Sequence, residues 1–161
     1  MQRHRFAVLR ADISRELDNV RRLGAEARDW SDRLVGLPDN IRVRTAGSIL
    51  HDFYCGAERI FRLVAMGLDG DLPAGSDWYI DLLHRMATEI EPVRPALLDR
   101  ETARQLEEFL RFRHLVRNLY GFDLDWDRCQ VLLQKLPVTL GRLEQQICAF
   151  DEFLGSLQDQ A

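Results

Sequence analysis

Residues 109–121 read Phe-Leu-Arg-Phe-Arg-His-Leu-Val-Arg-Asn-Leu-Tyr-Gly. Phe109, Phe112, Val116 and Leu119 fall at steps of three and four, which places them on one face of a helix and marks that face for burial. Arg113, Arg117 and Tyr120 share the same spacing and form a second stripe, with His114 and Asn118 one turn apart beside it. The pattern predicts a helix over about Arg100 to Tyr120, closed by Gly121 in the left-handed position beyond its end.

The same period runs outward in both directions. Upstream, Phe6, Leu9, Ile13, Leu17, Val20, Leu23 and Ala27 form one apolar stripe, predicting a helix over about Phe6 to Leu34 that Gly36 and Pro38 break. Ile49, Phe53, Ile60, Val64 and Leu68 predict a second over about Ile41 to Leu68, with Gly56 where a neighbouring helix can come close. A third is expected over about Asp77 to Ile90, capped by Ser76 and stopped by Pro92 and Pro95. Downstream, Asp125 caps a fifth that runs to about Leu157, with a kink or break at Pro137. No stretch alternates apolar and polar residues for long enough to read as a strand. The fold expected is all-α, an antiparallel bundle of four to five helices joined by short connections.

At 161 residues the chain suits one domain, expected to span 1–161. A hydrophobic share of 46% and a charged share of 30% mark it as globular rather than disordered. Its net charge of −4 gives no whole-molecule attraction to nucleic acid, so any such binding needs a local basic patch. No apolar run is long enough to span a membrane, and the N-terminus lacks the apolar core of a signal peptide. Cys55, Cys129 and Cys148 show no metal-binding or redox spacing and are expected as buried thiols of a cytoplasmic protein. No cofactor or metal is expected. Asp123, Asp125 and Asp127 lack the glycine and distal glutamate of a calcium loop and read as capping residues. His4 and His84 read as surface residues, and His51 as either a cleft residue or a core contact.

Arg113 and Arg117 carry fixed charges in a donor fork that matches phosphate oxygens, and His114 can exchange a proton near neutral pH. Such groups can cleave RNA without metal, a base taking the 2′-hydroxyl proton while cations stabilise the phosphorane. The alternative is a solvated helix face on which Arg113 or Arg117 pairs with Glu107 or Glu108.

The string Phe112-Arg-His-Leu-Val-Arg-Asn-Leu-Tyr-Gly-Phe-Asp-Leu-Asp-Trp126, with Ser76-Asp-Trp-Tyr-Ile-Asp-Leu-Leu-His-Arg-Met-Ala87 before it, resembles the HepT-like branch of the HEPN superfamily. In that family an arginine, a short spacer and a histidine form the signature, and a tyrosine follows two residues later. Arg113 stands at the arginine position and Tyr120 at the tyrosine position, but Asn118 replaces the histidine. An amide cannot act as a base near neutral pH. The resemblance implies a helical homodimer with the signature helices facing one cleft. It implies a metal-independent ribonuclease toxin of a HEPN/MNT (type VII) toxin–antitoxin pair, acting on cellular RNA such as tRNA. The partner would be a nucleotidyltransferase antitoxin of the MntA type that transfers AMP to Tyr120. On this reading Arg113, His114 and Asn118 are the catalytic candidates and Arg117 and Arg111 bind RNA. The alternative is a non-catalytic helical adaptor that binds or regulates a nucleotidyltransferase.

Overall fold

A computed structural model describes residues 2–160. Five α-helices follow one another: α1 (Gln2–Leu34), α2 (Asp39–Val64), α3 (Trp78–Met86), α4 (Arg100–Asn118) and α5 (Trp126–Gln160). Among the described residues no strand forms; one isolated bridge joins Ile90 and Arg94. The protein is an all-α bundle, as the periodicity predicts.

Residue pairings give the helix directions. Against α1, Gly56 of α2 meets Val20 and Gly67 meets Leu9, so α1 and α2 are antiparallel. The ion pairs Arg10–Asp151 and Arg21–Glu144 make α5 antiparallel to α1 as well. Against α4, α5 descends from Lys135 beside Glu108 to Gln146 beside Thr102, again antiparallel. The exception lies at the centre: Phe53 meets Phe109 and Glu58 pairs with Arg113, so α4 crosses α2 instead of lying antiparallel along it. The short α3 links the two.

The core is the sum of the apolar stripes. Leu9, Ile13, Leu17, Val20 and Ala27 of α1 are buried, together with Ile49, Phe53, Ile60 and Val64 of α2. The Phe53 and Phe109 rings meet edge to face at 5.0 Å, an arrangement worth about 0.5–1.5 kcal/mol beyond its buried area. At Gly56 an added Cβ would lie 2.7 Å from Val20 Cγ2, so the close approach expected there is real.

Several expected boundaries shift, each for a local reason. Helix α2 continues past Val64 as a π turn, Ala65–Asp69, closed by Gly70 at a left-handed φ of 93°. Helix α3 is shorter than expected. It begins after Asp77, with no side-chain cap, so Ser76 is not its cap. It ends at Met86, and the carbonyls of Arg85 and Thr88 beyond are taken by the buried Arg94 guanidinium. Helix α4 ends at Asn118 with Leu119 extended, and Gly121 is not left-handed. Its lack of a side chain makes room for Arg44, which a Cβ there would touch at 3.0 Å. Pro137 lies within a continuous α5 and does not break it. Asp125 does cap α5, accepting from the Asp127 amide at 3.0 Å. Of the thiols only Cys129 is buried; Cys55 is half-buried and Cys148 exposed. Among the described residues no helix is long and apolar enough to cross a membrane.

Candidate functional site

Helix α4 carries Arg111, Arg113, His114, Arg117 and Asn118, with Tyr120 just past its end, and its first turn is firmly tied down. Asp99 accepts from the Thr102 amide at 2.7 Å, a capping bond that holds its carboxyl below the usual carboxylate range. From α5, Gln146 accepts from the Asp99 amide, and both Gln146 and Arg142 donate to Thr102 Oγ1.

Toward the other end the candidates part company. Arg113 does not share an exposed stripe with Arg117 and Tyr120. It turns into the bundle, 8% exposed, where Nη1 donates to Glu58 Oε2 at 2.6 Å. The inward turn follows from position: Arg113 is four residues past Phe109 and three past Leu110, both buried, and α2 supplies the carboxylate that makes burial tolerable. The guanidinium lies 5.9 Å from the Tyr54 ring. Arg113 Nε and Tyr54 Oη are both buried without a hydrogen-bond partner. Burial drives the Tyr54 phenol far above its ordinary pKa. It also raises the neighbouring Cys55 thiol, against the pull of the Arg113 charge.

His114 takes the opposite side. Its ring packs edge-on against Tyr79 of α3, centroids 4.1 Å apart, with Nε2 buried and unpartnered. Asn118 donates from Nδ2 to the His114 carbonyl at 2.8 Å, folding its amide back onto its own helix. Arg117 is exposed, and Tyr120, just past the helix end, is 73% exposed. Arg111 pairs with Glu107 and Lys135 with Glu108, so neither glutamate is the partner of Arg113 or Arg117. A single chain therefore brings Arg117, Asn118 and Tyr120 to one exposed end of α4, while Arg113 and His114 point to different neighbours.

The remaining histidines lie elsewhere. His84 is exposed, 3.6 Å from Glu107, and His4 is exposed on α1. His51 is half-buried, its ring 3.2 Å from Asp52 and 3.7 Å from the Cys55 thiol. Among the described residues no three His, Cys, Asp or Glu side chains come together as a metal site.

Two features escape a reading of α4 alone. Glu58 sits on the buried side of α2, one turn past Tyr54 and beside Ala57. A carboxylate inside an apolar stripe calls for a buried cation, and that signal points to Arg113. The second is a groove of about 730 Å³ between α1 and α2 with Arg113 in its lining, formed by side chains from three helices far apart in sequence.

Comparison with known proteins adds one finding. The sequence model of a family described as HepT-like protein matches residues 45–154, from the second turn of α2 to near the end of α5. No curated protein and no solved structure gives a significant match. The matched span is more than half of the chain and includes Glu58, Arg113, His114, Asn118 and Tyr120. The chain belongs to the HepT-like family of the HEPN superfamily.

Proposed function

We propose that this HepT-like protein is a metal-independent ribonuclease toxin that works as a homodimer and is silenced by a nucleotidyltransferase antitoxin. The observation that carries the reading is the exposed end of α4, where Arg117 stands beside Asn118 and Tyr120, the residues at the histidine and tyrosine positions of the family signature. Arg117, with Arg111 one and a half turns back, would hold the phosphates of the RNA. Arg113, anchored by Glu58, would contribute positive potential from beneath. His114 is the proton carrier of this reading. It accepts the 2′-hydroxyl proton as the 2′-oxygen attacks phosphorus; the bond to the 5′-oxygen breaks, that oxygen takes a proton from water to leave as a hydroxyl, and a 2′,3′-cyclic phosphate remains. Asn118, unable to take the proton, would orient the sugar or phosphate. Because Arg113 and His114 diverge within one chain, the second copy is needed to complete the cleft.

Silencing follows from where Tyr120 lies. Its phenol oxygen would attack the α-phosphorus of ATP and release pyrophosphate, leaving AMP on Tyr120. That adds bulk and negative charge beside Arg117, which opposes RNA binding.

A second reading, a non-catalytic adaptor for a nucleotidyltransferase, is favoured by two observations. The Asn118 amide is engaged by its own helix, and the Arg113 charge is answered by Glu58. One experiment separates the two: RNA cleavage in EDTA by purified wild type, His114→Ala and Asn118→Ala. Cleavage that falls about 100-fold or more in His114→Ala supports the nuclease with a relocated base. No cleavage of any RNA by folded wild type establishes the adaptor.

A further inference from the structure

The groove between the first half of α1 and the second half of α2 is lined by five arginines against three carboxylates, on a protein whose net charge is −4. Three of those arginines are answered locally: Arg15 by Asp12 at 2.9 Å, Arg59 by Glu16 at 3.9 Å, and Arg113 by Glu58. Arg5 and Arg62 are in no ion pair among the described residues. Arg5 donates to the Gly67 carbonyl at 2.8 Å, and Arg62 lies over the Trp78 ring at 5.6 Å. Arg5 comes from α1 and Arg62 from α2, and neither contact cancels the charge it holds. At the bottom lies Arg113, more than nine-tenths buried, with Nε unpartnered.

Between the cations the walls are apolar. Val8 and Met66 both line the groove with about half of their surface exposed. A flexible thioether is a soft surface for a flat ring. Two arginines free of ion pairs, a buried arginine below and an apolar strip beside them fit a ligand that alternates phosphates with rings. The volume falls within the range of about 300–1,000 Å³ that holds a ligand of one or two nucleotides.

We propose that this groove binds the backbone of single-stranded RNA, with Arg5 and Arg62 clamping phosphates and Arg113 offering its unpartnered Nε donor from the floor. The identity of the polymer rests on the ribonuclease reading; the groove adds a strand path on the α1–α2 side of Arg113, about one turn before the exposed end of α4. Arg5 and Arg62 are binding residues on this assignment and take no part in the chemistry.

The test uses a fluorescent 2′-O-methyl RNA ten-mer, which cannot be cleaved because its 2′-oxygen is blocked, and follows anisotropy from low to high salt. Both arginines are exposed, so Arg5→Gln/Arg62→Gln is expected to fold, and a thermal melt checks this. The double variant should bind at least about ten-fold more weakly, and its log–log salt slope should be shallower by about 1.4, the value for two lost single-strand phosphate contacts. Arg5→Lys/Arg62→Lys should recover most of the slope. Unchanged affinity and slope in the glutamine variant, with binding lost in Arg117→Gln, would overturn the groove and leave the ribonuclease reading standing. Binding lost in the glutamine variant from a wild type that cleaves nothing would keep the groove and remove the nuclease. Wild type that binds AMP but not the ten-mer, or binds neither, would overturn the strand path.

Discussion

Two arginines are buried among the described residues, and they are held in opposite ways. Arg94 is fully engaged. Its Nε and Nη2 donate to the two Asp69 oxygens at 2.6 and 2.9 Å, and the carbonyls of Arg85, Thr88 and Pro95 take three more bonds. All five donors of a guanidinium are thus used. Arg113 gives one hydrogen bond to one Glu58 oxygen, comes within reach of the Cys55 thiol, and keeps Nε unpartnered. The first cation is consumed in joining the π turn to the loop before α4. The second is buried at some cost and left with donating capacity to spare. Equal burial therefore says little about role; the count of satisfied donors separates a structural arginine from one held ready for a ligand.

Substitutions can break this contrast. The largest effect is expected from Asp69→Ala, which strands the Arg94 charge and should cost about 3–5 kcal/mol in urea unfolding. A loss below about 1 kcal/mol would show that Arg94 is as loosely held as Arg113. Next come two double replacements made in parallel. Arg94→Met/Asp69→Leu removes a charge pair but also deprives three carbonyls of donors, at about 1–3 kcal/mol for each that stays buried and unsatisfied. Arg113→Met/Glu58→Leu removes a pair with few other obligations and should stay within about 1 kcal/mol of wild type while RNA binding falls. Equal losses from the two would erase the distinction. The smallest effect calibrates the scale away from both arginines: Asp99→Ala should cost about 1 kcal/mol through the lost α4 cap. Since the folded Asp99 carboxyl is depressed, that contribution is present above its unfolded value near ~3.9 and disappears as pH falls through the lower folded value. Wild type and Asp99→Ala should converge in acid; a gap that stays constant down to the lowest pH would show that the cap bond does not depend on charge.

The helices were legible because burial imposes a period on each one separately. The stripe Leu9, Ile13, Leu17, Val20 needs no knowledge of its neighbours, and neither does the α5 cap at Asp125. Boundaries set from a distance were not legible. Helix α3 stops early because Arg94 claims carbonyls beyond it, and Gly121 serves the Arg44 side chain rather than a left-handed turn. The candidate site divides along the same line. The spacing of Arg113, His114 and Arg117 placed them on α4, but not the side to which each would turn. Arg113 goes inward because Glu58, 55 residues earlier, waits there. His114 goes to Tyr79 on the short α3. Both partners are visible in the sequence, but nothing local connects them to α4. The one usable clue was Glu58 itself, an acid at an apolar position of α2.

The pairing of α1 with α5 sets the timing of synthesis. Arg10 meets Asp151 across 141 residues, and each helix is about 50 Å long, so the outer seam joins the first helix of the bundle to its last. Local contacts can form as the chain emerges, but this one waits for α5. At about 5–20 residues per second, the apolar stripe of α1 stays partly uncovered for on the order of ten seconds or more of translation. The side of the α1 stripe that faces α5 therefore waits for a partner while α2 to α4 are made, and this seam is the last of the bundle to close.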